Sequence, residues 1–95
     1  MKQHYVYMIK CDDSSYYTGY STNPKARYAK HCAGTGAKYT RAHKPKSMVV
    51  LYAFDTKSEA LKKEYAVKQF THEEKEMLFK VAKVAENYRK KHNSL

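Results

Sequence analysis

The sequence predicts a small single α/β domain, a three-stranded antiparallel sheet flanked by helices in the order β-β-α-β-α-α. Three observations lead there. Two β-prone runs, Tyr5–Ile9 and Tyr16–Tyr20, flank the turn-forming segment Asp12-Asp13-Ser14-Ser15. An Asn23-Pro24 pair follows directly, the chemistry of a helix start. Further on, the apolar run Ser47–Phe54 precedes two Thr-x-x-Glu segments of the capping-box type. With 95 residues, the chain has room for one domain with one modest core.

Each element has its own local reason. The two tyrosine-rich runs close on their turn as a hairpin. Asn23 caps and Pro24 opens a helix that runs to Cys32 and stops at Ala33-Gly34. Gly34 to Lys46 has little periodicity and reads as a basic loop. Ser47–Phe54 is apolar enough to be the central strand. Thr56-Lys57-Ser58-Glu59 opens a helix over Glu59–Phe70, and Thr71-His72-Glu73-Glu74 opens another through at least Ala82. Residues 1–82 are expected to form the domain and 83–95 a helical extension and basic tail, with Asn87–Leu95 fraying.

Composition narrows the classes. No apolar run approaches the ~18 residues of a membrane span, and Met1–Lys10 is too interrupted for a signal peptide. Cys11 and Cys32 are too few for a disulfide framework or a zinc site. They read as small buried residues in a reduced, cytoplasmic protein. His4, His43, His72 and His92 lack ligand spacing and read as surface residues. Nothing in the sequence calls for an obligate protein partner.

Charge is the strongest compositional signal. Lys plus Arg total 19 against 9 Asp plus Glu, a formal net charge of +10. Residues 14–54 contain no acid at all, while holding Lys25, Arg27, Lys30, Lys38, Arg41, Lys44 and Lys46. Tyr28, Tyr39, His31 and His43 are interleaved among them. Cations interleaved with aromatics suit phosphate contacts plus stacking on bases or sugars. DNA is the expected partner, with Lys25, Lys38, Tyr39, Arg41, Lys44 and Lys46 as contacts, although charge does not separate DNA from RNA, nor a binder from an enzyme.

One ordered set of residues carries chemistry. Tyr5-Val6-Tyr7 is followed by Tyr17-Thr18-Gly19, then Arg27 and His31, the segment Gly36–Arg41 (GAKYTR), and Ser58–Lys68 (SEALKKEYAVK). In this set the chain resembles the GIY-YIG nuclease superfamily, and most closely its short stand-alone bacterial members, over Tyr5 to Leu78. The first tripeptide opens with Tyr5 in place of glycine, and Val6 and Thr18 replace isoleucine. The resemblance implies a divalent-metal-dependent endonuclease. Tyr7, Tyr17, Arg27, His31 and Glu64 are the implied catalytic residues and Glu64 the implied ligand of one Mg²⁺ or Mn²⁺.

The residue chemistry is compatible with those roles and with plainer ones. Phosphodiester hydrolysis needs an activated water, neutralised charge on phosphorus and a stabilised leaving alkoxide. A tyrosine titrates near 10 in isolation, and nearby cations lower that, so Tyr7 or Tyr17 is a candidate general base. Arg27 could hold phosphoryl oxygens through two guanidinium nitrogens at once. Equally, Tyr7 and Tyr17 could be packing across the hairpin, and Arg27 and His31, four apart, could form an exposed basic helical face. Glu64 lies beside the apolar positions Ala60, Leu61 and Val67, unusual for a carboxylate, yet Lys68 stands at i+4 to pair with it. Without a further domain to read sequence, the expected substrate is single-stranded, branched or weakly specific DNA. The alternative is a non-catalytic nucleic-acid-binding module using the same basic surface.

Overall fold

The computed structural model describes residues 2–92. Its elements run β1 (His4–Cys11), β2 (Tyr16–Ser21), α1 (Pro24–Cys32), α2 (Lys38–Ala42), β3 (Pro45–Phe54), α3 (Lys57–Lys68) and α4 (His72–His92). The sheet order is β2-β1-β3, antiparallel throughout. The expected order of strands and larger helices is therefore present, with one short helix added.

β1 is the central strand and supplies the middle of the core. Val6, Tyr7, Met8, Ile9 and Cys11 are all buried. Because strand side chains alternate, they divide between two layers. Tyr7, Ile9 and Cys11 pack with Tyr17, Tyr28 and Met48 on the α1 side. Met8 packs with Tyr16, Val49, Val67 and Phe79 on the side of α3 and α4. The apolar run in β3 suggested the centre of the sheet, but β3 is an edge. α4 lies along it, and Lys83 Nζ donates to the Met48 carbonyl at 3.2 Å.

The local signals explain the helix starts. Asn23 accepts from the Ala26 N–H at 3.2 Å. The Glu59 N–H donates to Thr56 Oγ1 at 3.2 Å. In the second box the bonds are reciprocal: the Glu74 N–H donates to Thr71 Oγ1 at 3.1 Å and the Thr71 N–H to Glu74 Oε1 at 2.8 Å.

Three expectations are corrected. The segment read as a loop contains α2, a helix of 5 residues with no side-chain cap, too short for periodicity to reveal. The last helix does not fray at Asn87; α4 continues to His92, and the rest of that tail lies outside the described residues. Cys11 is buried as expected, but Cys32 is exposed. Among the described residues no helix is long and apolar enough to cross a membrane.

Candidate active site

Tyr7 sits where the sheet changes register. It faces Gly19 across β2, and its pairing with β3 follows a bulge between Val6 and Tyr7. Bulges re-aim side chains next to functional sites. Here the tyrosine ring lies over Gly19, where a Cβ would come within 2.5 Å of the Tyr7 Cζ. The glycine that ends the second tripeptide is thus a space requirement for the tyrosine that ends the first. Tyr17 lies two residues from Gly19 on the same face, within diagonal reach of Tyr7. The two ring centroids are 6.4 Å apart.

His31 is not part of an exposed basic face. It is fully buried, its Nε2 2.8 Å from Tyr7 Oη and its Nδ1 2.7 Å from Thr40 Oγ1. Thr40 is itself buried and donates to the Ala37 carbonyl at 3.1 Å. With Thr40 donating to Ala37, one assignment of the protons follows along the chain of bonds. The Thr40 hydroxyl has given its hydrogen to Ala37, so it accepts from His31 Nδ1–H. Nε2 is then a bare lone pair, and Tyr7 O–H donates to it. Burial, aided by the Arg27 charge, pulls the His31 pKa down, consistent with a neutral ring. Burial, and then the neighbouring Tyr17, push the Tyr7 hydroxyl up to about 12, against the lowering pull of the adjacent Arg27.

Arg27 and Glu64 influence the same hydroxyl from different helices, Arg27 the more strongly. Arg27 lies on α1 and Glu64 on α3, yet the charge of each is felt at Tyr7. The Glu64 side chain is 17% exposed and pairs with Lys68 Nζ at 3.1 Å, so the i,i+4 pair read from the sequence is formed. Among the described residues no group of three or more His, Cys, Asp and Glu could hold a metal ion, so Glu64 belongs to no such cluster.

The proposed nucleic-acid contacts separate into groups. Tyr39, on α2, lies 5.9 Å from the Tyr17 ring and stacks on His43 at 4.2 Å. His43, expected as a surface residue, is half-buried and bonded to Asp13 at 2.5 Å. Lys38 and Arg41 border a polar pocket of about 320 Å³ beside Gly36. Arg41 and Lys44 border another of about 540 Å³ that reaches His31 and Thr40. Lys46 is exposed in β3. Lys25 stands apart, at the start of α1, facing Arg89 and Lys90 of α4 across a cavity of about 520 Å³.

Two residues of this constellation have no signal of their own in the sequence. Thr40 orients His31, and Gly36 makes room for it, since a Cβ there would stand 2.6 Å from His31 Nδ1. Both lie in the Gly36–Arg41 segment, but no spacing rule links a threonine on one helix to a histidine on another.

Known proteins resemble this chain over most of its length. The GIY-YIG catalytic domain matches residues 3–77. UPF0213 protein SH2523 of Staphylococcus haemolyticus is 51% identical over 75 residues, covering 79% of this chain and 92% of its own. UPF0213 protein VNG_2274C of Halobacterium salinarum is 50% identical over 76 residues, covering 80% of this chain and 99% of its own. The solution NMR structure of protein EF2693 from E. faecalis shares 43% identity, covers 85% of this chain and 86% of that one, and has a TM-score of 0.52. The matched span holds every element from β1 to α3 and all five residues around the Tyr7 hydroxyl, and on that basis this chain belongs to the GIY-YIG family.

Proposed function

We propose that this protein is a divalent-metal-dependent endonuclease that hydrolyses phosphodiester bonds, with single-stranded, branched or weakly specified DNA as its substrate. The observation supporting this most directly is that the Tyr7, Tyr17 and His31 rings meet beside Tyr39 of the basic segment, with the charges of Arg27 and Glu64 acting there from separate helices.

The roles follow from the chemistry. Arg27 neutralises charge developing on the phosphoryl oxygens. Glu64 would hold the cation. A carboxylate outside any cluster of three or more ligand side chains would suit Mg²⁺ or Mn²⁺, which need only one or two protein carboxylates, better than zinc. When bound, such an ion supplies Lewis acidity and lowers the pKa of water. Tyr7 is buried and its proton is committed to His31, so it is a holding group. Tyr17, half-buried and beside Tyr39, is left as the tyrosine that can take a proton from the attacking water. Tyr39 offers a face on which a base or sugar can stack.

Cleavage of labelled single-stranded, duplex and branched DNA, with an RNA arm, is expected with Mg²⁺ or Mn²⁺ and not with EDTA. Tyr17→Phe should slow it by about 10²-fold or more with unchanged binding. An unaffected rate would remove Tyr17 from proton transfer. The Glu64–Lys68 pair favours one competing reading, a binding module whose carboxylate is already neutralised. Binding by the wild type without cleavage of any nucleic acid with either metal would establish that reading.

The basic surface has its own expected result. Neutralising Lys38, Arg41, Lys44 or Lys46 should weaken binding and flatten its salt dependence, by about 0.7 to 0.9 in the log–log slope for each phosphate left without its cation. Unchanged affinity and slope after all four are neutralised would assign that segment to solvent.

A further inference from the structure

α4 presents two different faces. Phe79 is buried, and Leu78 and Ala82 pack against the same core cluster. The opposite face carries Met77, Val81, Val84 and Tyr88, between 59% and 69% exposed. Their spacings of four, three and four residues form one continuous seam, the repeat by which two helices interlock side chains. The family match ends at residue 77, where this seam begins. The four side chains stand outside the core that Leu78, Phe79 and Ala82 join.

The seam is also its own complement. Turning the helix end for end about the midpoint between Val81 and Val84 exchanges Val81 with Val84 and Met77 with Tyr88. The same operation lays the acidic first turn, with Glu73 and Glu74, beside the basic last turn, with Arg89, Lys90, Lys91 and His92. A two-fold interface requires this self-complementarity, because the same patch must serve both sides. A parallel pairing would instead set acid against acid and base against base.

We infer that α4 is the dimerisation element of this protein and that its partner is a second copy of the same chain, packed antiparallel along Met77, Val81, Val84 and Tyr88. Four seam residues per copy make a small interface, so association should be reversible and concentration-dependent.

Sedimentation equilibrium of the full chain tests this. The wild type should shift from monomer to dimer with rising concentration. Val81→Asp and Val84→Asp each place a charge in the seam and should weaken the dimer by about 100-fold or more. Both positions are exposed in the monomer, so thermal unfolding of the diluted variants should match wild type. Glu73→Lys should weaken association, and adding Lys91→Glu, which lies on the same flank of the seam at its other end, should restore it. A wild type that stays monomeric at every concentration overturns the proposal. So do a dimer indifferent to both aspartates and a dimer indifferent to the charge reversals. A monomer that binds anionic phospholipid vesicles, and loses that binding with Val84→Asp, would assign the seam to a lipid surface instead and also overturn it.

Discussion

Glu64→Gln is expected to abolish cleavage of every DNA substrate while leaving the fold and DNA binding in place. Glutamine keeps the volume of the side chain and can still accept from Lys68, so what disappears is the charge. An i,i+4 pair of this kind contributes only about 0.3–0.5 kcal/mol, and here Lys68 is well exposed. The expected change in thermal stability is therefore no more than a few degrees. The proposed role is a different matter, because a carboxylate outside any ligand cluster would be the cation's main protein anchor. In EDTA the variant should bind DNA as well as wild type or better, since a negative charge near the phosphate has gone. Cleavage, thermal melting and filter binding measured together separate the outcomes. Full activity in Glu64→Gln would exclude the glutamate from catalysis. A fall in Tm beyond about 10 °C would make it a structural residue.

Gly19→Ala is expected to damage both stability and the site. The added methyl meets the Tyr7 ring at its hydroxyl end, and that ring is only 1% exposed, with no room to retreat. Overpacking of this kind costs about 1–3 kcal/mol. Displacing Tyr7 also breaks its bond to His31, which adds about 1 kcal/mol. A loss of about 2–4 kcal/mol in a domain this size lowers Tm by roughly 10–20 °C. Calorimetry measures it directly. A Tm within 3 °C or so of wild type would mean that the sheet gives way there more readily than its packing implies.

Much of this architecture is legible in the sequence because its signals are local. The turn at Asp12–Ser15, the Asn23 cap and the two threonine boxes each act over three or four residues, and each is found where the sequence puts it. Non-local features are harder to read. β3 looks central from its apolar run, but its apolar residues serve the packing against α4. β1, with its tyrosines and lysine, is the strand covered on both faces. α2 escapes notice because a helix of 5 residues has no period, and it is held by Thr40 reaching His31 rather than by caps. The five residues around the site are recognisable from the tyrosine tripeptides and their ordered partners. The burial of His31 is not, since a histidine on a short basic helix resembles a surface residue until Gly36 and Thr40 close over it.

The bonds from Tyr7 through His31 and Thr40 to the Ala37 carbonyl form a proton wire with a dead end. A carbonyl oxygen has no hydrogen to return. Running the wire backwards would require the Thr40 hydroxyl to turn from Ala37 to His31, leaving the Ala37 carbonyl its bond from the Arg41 N–H. The polarity of the chain therefore rests on which way that one hydroxyl points, three residues after Ala37, and not on the tyrosine. Tyr7 can offer the cleft its lone pairs but not its hydrogen. In the proposed reaction, protons would pass by the open side of the site, where Tyr17 is only half-buried.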